Sequence, residues 1–102
     1  MDRPSIEAEV EQLARSAAVE IRRVLDDDAR VFWFGSWVSG TAVERSDIDL
    51  AGELGRQLTG VERERIADAL AKLETLREFD VLDLESVSTD RRREIVSAGW
   101  EL

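Results

Sequence analysis

The stretch GSWVSGTAVERSDIDLA, residues 35–51, follows the apolar run VFWF of residues 31–34 and closes on two aspartates separated by one residue. A glycine directly after a buried strand lets the backbone approach another group closely. Ser36 adds a hydroxyl and a backbone N–H at the same corner, and Gly40 gives the loop a second flexible point. Side chains alternate faces along a strand, so Asp47 and Asp49 are predicted to share one face while Ile48 and Leu50 pack the core on the other. Two carboxylates on one face repel each other at neutral pH, and a dication between them removes that repulsion. Taken alone, the D-x-D pair also reads as the wet face of an edge strand, and the Gly-Ser pair as a plain turn. DIDLAG, residues 47–52, begins like an EF-hand calcium loop. Its fifth position is Ala51 and its twelfth is Leu58, where oxygen ligands are needed, so that reading fails.

Outward from this stretch, the flanking segments predict a small α/β domain. RVFWF, Arg30 to Phe34, is β-branched and aromatic and reads as a central strand buried on both faces. Before it, Ile6, Val10, Leu13, Ala17, Ile21, Val24 and Leu25 recur at helical spacing, which predicts an amphipathic helix from Ser5 to Leu25 with Pro4 and Ser5 at its start. Asp26, Asp27 and Asp28 oppose the helix dipole and help to stop it. As consecutive loop carboxylates they diverge, and they read as solvated rather than as a metal cluster. After the D-x-D strand, predicted from Ser46 to Gly52, Thr59 and Glu62 form a T-x-x-E capping box, opening a helix with Ile66, Leu70 and Leu73 inside. EFDVLDL, residues 78–84, predicts a third strand. On it Asp80 and Leu82 share one face, and Phe79, Val81 and Asp83 the other. Ser88 or Thr89 caps a last helix to about Ala98, Gly99 suits its C-terminal cap, and WEL ends the chain as a short edge strand. The expected order is α-β-(short α)-β-α-β-α, with helices packed on a short sheet.

Composition narrows the chemistry. The 102 residues suit one domain, 1–102, with a modest core; 43% of them are apolar, which argues against disorder. There is no cysteine and no histidine, which excludes disulfides, thiolate chemistry, Cys/His zinc sites and any triad with a histidine base. A bound metal must be held by oxygen, which points to Mg²⁺, Mn²⁺ or Ca²⁺. Fourteen basic against twenty-three acidic residues give a net charge of −9, which disfavours direct nucleic-acid binding and fits a basic protein partner or a cation-bridged phosphate. The same acidity also serves plain solubility. No apolar run is long enough to span a membrane, and MDRPSIEAEV has neither the basic nor the apolar region of a secretory signal, so a cytoplasmic location is expected.

Apolar strand, Gly-Ser pair and D-x-D, with Asp47 eleven residues after Ser36, closely resemble the nucleotidyltransferase superfamily that includes DNA polymerase beta. Within it the chain is similar to the minimal nucleotidyltransferases, the MNT family. FGSWVSGTAVERSDIDLA carries the main motif, FDVLDL matches the strand of the third carboxylate, and REIVSAGWEL is similar to the family's C-terminal helix and turn, so the resemblance spans nearly the whole chain. It implies a polymerase-beta-like domain with a short mixed sheet flanked by helices. It also implies that Gly35 and Ser36 hold the phosphates of a nucleoside triphosphate, that Asp47 and Asp49 bind two Mg²⁺ ions (Mn²⁺ substituting), and that Asp80 completes the site as the third carboxylate. The implied reaction moves a nucleoside monophosphate, AMP from ATP, onto a hydroxyl of a partner protein. The implied setting is the antitoxin of a HEPN-domain toxin, acting in a hetero-complex or oligomer.

The chain departs from its relatives after the Gly-Ser pair, where they carry basic residues and this sequence has Trp37, Val38 and Ser39. Arg45 is the nearest base in the loop. Two further readings therefore stand beside the catalytic one. One is a module that keeps the fold and neutralises its partner by binding alone. The other is a subunit that modifies a small molecule, which would need an acceptor pocket from a second copy. Trp33 is expected in the core, Trp37 stacks on a base or lies at an interface, and Trp100 packs the C-terminal end. RRRE, Arg91 to Glu94, reads as a solvated helix face, with partner docking as the alternative.

Overall fold

The apolar stripe of the first helix and the alternating strands converge on one mixed sheet. The computed structural model describes residues 6–102, so the helix start expected at Pro4 and Ser5 lies outside the described residues. The elements are α1 (Ile6–Val24), β1 (Arg30–Phe34), α2 (Ser36–Ser39), β2 (Ile48–Glu53), α3 (Gly60–Ala71), β3 (Phe79–Asp83), α4 (Thr89–Ala98) and β4 (Trp100–Glu101). The sheet order is β3-β2-β1-β4. β1 runs antiparallel to both β2 and β4, and β2 runs parallel to β3. The expected α/β class and element order hold, with WEL supplying the edge strand β4.

Each sheet face has its own apolar cluster. Val31, Trp33, Ile48 and Leu50 meet α1 and α3 through Val10, Ala14, Ala17, Ile21, Ile66 and Leu70. The small residues Ala14, Ala17 and Ala18, at most 1% exposed, let α1 lie close to the strands. On the opposite face Phe32, Phe34 and Ala51 meet Leu84, just after β3, and Ile95 of α4. Ile48 and Leu50 are fully buried. Slipping β2 by one residue would carry Ile48 and Leu50 to the opposite face and turn Asp49 into the core against α1 and α3. The hydrophobic pattern thus fixes which way Asp49 faces.

The turns follow the expected chemistry in most places. Asp26 Oδ1 accepts the Asp28 N–H, and Ala29 N–H closes onto the Asp26 carbonyl, so the triple aspartate is a turn. Thr59 and Glu62 make the reciprocal capping box, and Ser88 rather than Thr89 caps α4 by accepting the Arg91 N–H. One expectation is corrected. The D-x-D strand begins at Ile48, not Ser46, because Ser46 is still held in a turn: its N–H donates to the Val43 carbonyl and its Oγ accepts the Val43 N–H. Gly99 does cap α4, its N–H donating to the Ile95 carbonyl, but from an extended conformation (φ −81°, ψ 171°) and not the left-handed one usual for a glycine cap. What it needs there is space, since a Cβ would stand 2.6 Å from the Ile95 carbonyl oxygen.

Candidate functional site

The chain leaves β1 at Phe34 and turns at Gly35, which adopts φ 87° and ψ −157°, a region essentially restricted to glycine. A Cβ at Gly35 would lie 2.0 Å from Asp49 Oδ2. The missing side chain is therefore what allows the Asp49 carboxylate to rest against the turn. α2 begins at the next residue and ends at Gly40 in the left-handed conformation. Its loop closes as Thr41 and Ala42 donate to the Ser36 carbonyl.

Strand pairing brings the second carboxylate in. Asp49 pairs with Phe34 across β1 and with Asp80 across β3, so the three lie in one row of the sheet. They face a cleft of about 350 Å³ whose other walls include Gly35, Ser39 and, from α4, Arg91 and Ile95. Burial, then the Asp80 and Asp47 charges, push the Asp49 carboxyl up from its ordinary range, and Arg91 pulls it down. Asp47 sits exposed in the turn just before β2, outside the cleft walls but near enough for its charge to reach Asp49. Ser36 is half-buried and its side chain is not part of the cleft wall. Gly35, Asp49 and Asp80 are thus brought together directly, while Asp47 and Ser36 stand at the margin.

The donor set suits a hard cation. Among the described residues none of the three carboxylates accepts a hydrogen bond or joins an ion pair, and their mutual repulsion is what a dication relieves. The ligands available for magnesium are the carboxylates of Asp47, Asp49 and Asp80. Among the described residues no three such groups already form a cage around one point, in keeping with Asp47 standing apart in its turn.

Other residues separate cleanly from the site. Asp83 is buried at 2% exposure on the opposite face, as strand alternation requires. Its carboxylate accepts N–H groups of Leu58 (2.8 Å) and Glu85 (2.9 Å) and the Ser86 hydroxyl (2.9 Å), and pairs with Arg63 at 3.4 Å. It ties the entrance of α3 to the end of β3. Trp37 is not a free ring awaiting a base. Its Nε1 donates to the Ser46 carbonyl at 3.0 Å, Arg77 covers its ring at 5.3 Å, and its body packs on the α1-side core. It anchors α2 to the turn that precedes β2. Trp33 is a core residue, in edge contact with the half-exposed Trp100 ring at 5.6 Å.

Arg91, which in sequence reads as part of a solvated helix face, belongs to the cleft wall. Its guanidinium sits 5.5 Å from the centroid of the Phe34 ring, inside the cleft. The signal was present in the spacing: Arg91, Ile95 and Ala98 fall four and three residues apart, so a buried Ile95 turns Arg91 toward the same face. Arg45, the base nearest the Gly-Ser pair in the loop, is exposed and not part of the cleft wall.

A family model described as "Polymerase beta, Nucleotidyltransferase" matches residues 20–102. A search of curated proteins gives no match. Among solved structures, a toxin–antitoxin with AMP-PNP is 28% identical, with a TM-score of 0.66 over 84% of this chain and 69% of that one. The toxin–antitoxin MntA–HepT is 25% identical, with a TM-score of 0.61 over 88% of this chain and 69% of that one. The complex of a tri-AMPylated Shewanella oneidensis HEPN toxin with its MNT antitoxin is 24% identical, with a TM-score of 0.51 over 94% of this chain and 67% of that one, and speaks to the fold alone. No helix among the described residues is long and apolar enough to cross a membrane. With a glycine turn, paired strand carboxylates and this match over most of its length, the chain belongs to the polymerase beta nucleotidyltransferase family, and toxin–antitoxin structures, MntA–HepT among them, are similar to it.

Proposed function

We propose that the protein transfers a nucleoside monophosphate, AMP from ATP, to a hydroxyl of a partner protein, as the antitoxin of a HEPN-domain toxin. The observation that carries this is the in-register pair Asp49–Asp80, unpaired and facing one cleft beside Gly35. Likeness to toxin–antitoxin structures, one of them with AMP-PNP, supports both the nucleotide and the partner.

The roles follow from chemistry. Gly35 gives the triphosphate close access to backbone, and the Ser36 hydroxyl donates to a phosphate oxygen. Asp47, Asp49 and Asp80 supply the oxygen ligands for magnesium. Two magnesium ions held there would neutralise the charge that develops on the α-phosphate and on the departing pyrophosphate. The partner's hydroxyl oxygen forms a bond to the α-phosphorus as the bond from that phosphorus to the β-phosphate oxygen breaks. Asp80, exposed where Asp49 is half-buried, accepts the hydroxyl proton. The acceptor comes from outside, and docking supplies the proximity.

The test is transfer of label. With ATP labelled at the α-phosphate the partner should retain label, and with ATP labelled at the γ-phosphate it should not. Label from the γ-position would mean phosphoryl transfer and would overturn the reaction proposed.

A further inference from the structure

The three consecutive arginines of α4 have three different surroundings. Arg92 turns back to the sheet and pairs with Glu53 and with Glu85, the latter at 2.8 Å. Arg93 points outward, 75% exposed, with only a loose 3.8 Å approach to Asp90. Arg91 alone faces the cleft, where it rests on the Phe34 ring. Its nearest carboxylate partner is Glu94 at a loose 3.8 Å, so its guanidinium donors remain open. Among the described residues that line the cleft it is the one base, and the others include Asp49, Asp80 and Glu94.

An anion entering this cleft meets at least three carboxylates in a chain of net charge −9. The loop after the Gly-Ser pair offers it no basic side chain, because Trp37, Val38 and Ser39 occupy those positions. Guanidinium presents a planar fork of donors that matches phosphate oxygens, and stacking on Phe34 limits how far it can swing away. We propose that Arg91 is the triphosphate-binding residue of this site, supplying from α4 the positive charge that the loop after Gly35-Ser36 lacks. This rests on the nucleotidyltransferase reading above. The contact is to phosphate and not to the base, because the guanidinium lies within electrostatic reach of Asp49, where the phosphates must be held.

The experiment is calorimetric titration of the full chain with AMP-PNP and Mg²⁺, and with AMP. The variants are Arg91→Ala, Arg91→Gln and, as a control of equal charge on the same helix, Arg93→Ala. Arg91 is 46% exposed in its side chain and holds no buried ion pair, so all three should melt with the native chain. Loss of a charge-assisted hydrogen bond predicts a roughly 10- to 150-fold weaker AMP-PNP affinity for both Arg91 variants. Arg93→Ala should stay within about twofold, and AMP, lacking the β- and γ-phosphates, should lose less than AMP-PNP. Unchanged AMP-PNP affinity in the Arg91 variants would overturn the inference and leave Arg91 as a counter-ion to Asp49. An equal loss in Arg93→Ala would also overturn it, as an effect of net charge. A native chain that binds neither nucleotide would instead overturn the nucleotidyltransferase reading itself.

Discussion

Replacing Gly35 by alanine perturbs the site at the point where backbone and carboxylate meet. Two effects add. The φ of 87° with ψ of −157° is a conformation that an L side chain adopts at a cost of about 1–3 kcal/mol. The new Cβ would also stand 2.0 Å from Asp49 Oδ2, 2.9 Å from its Cγ and 3.0 Å from its Cβ, so the Asp49 side chain must leave its place. Asp49 is only half-buried and can rotate, so this second part is on the order of 1 kcal/mol, the lower end of overpacking. The sum is about 2–4 kcal/mol. Urea unfolding of Gly35→Ala, Asp49→Ala and the double variant would separate the parts. Truncating Asp49 removes the two shortest contacts, so the double variant should recover about 1 kcal/mol relative to additivity. The backbone part should remain. A Gly35→Ala penalty below about 0.5 kcal/mol, or strict additivity in the cycle, would refute the close approach of Gly35 and Asp49.

Three other outcomes follow from the same geometry. The Asp49 carboxyl is raised above its unfolded value, so its ionised form is the less favoured one in the folded chain. It subtracts stability above that range and returns it as pH falls through the folded value. In EDTA at neutral pH, Asp49→Asn should therefore be more stable by roughly 0.5 kcal/mol, discounted for exposure, in chemical denaturation. Within FDVLDL the two aspartates should behave oppositely. Asp83→Ala strands the Leu58 and Glu85 N–H groups and should cost about 2–4 kcal/mol, whereas exposed Asp80→Asn should stay within about 0.5 kcal/mol by the same unfolding assay. Glu62 is held down to about 2, chiefly by Arg56 and then by the Thr59 backbone. A lowered carboxyl adds stability above about 4.5 and loses it as pH falls toward about 2, so the melting temperature of Glu62→Gln should fall less steeply across that window than that of the native chain.

Much of the fold was legible because local rules agreed with one another. Apolar spacing marked α1, the reciprocal Thr59–Glu62 pair marked α3, and the alternation of Ile48 and Leu50 with Asp49 gave β2 its two faces. The same alternation separates Asp80 from Asp83 without reference to any tertiary contact. What stayed hidden depends on tertiary contacts. The parallel pairing that sets Asp80 beside Asp49 joins strands separated by α3, and no local signal sets that register. Asp47 falls outside β2 because Ser46 binds Val43 through its side chain, a turn that competes with strand pairing. Trp37 looks like a free aromatic in sequence, and only the fold supplies the Ser46 carbonyl and Arg77 that hold it. Gly99 has a backbone conformation open to other residues, so its requirement for glycine comes from the approach of Ile95 and Trp33. Arg91 was obscured by its two arginine neighbours, which a purely compositional reading treats alike.

The proposed catalysis acts through this cleft on a docked protein hydroxyl. Its most direct test is the intact mass of the proposed HEPN-domain partner after incubation with the chain, ATP and Mg²⁺. The partner should gain whole AMP units with the native chain and none with Asp49→Asn or Asp80→Asn. A partner that is neutralised yet gains no mass, with each of the four nucleotides and with Mn²⁺ in place of Mg²⁺, would contradict catalysis and leave a module that acts by binding alone.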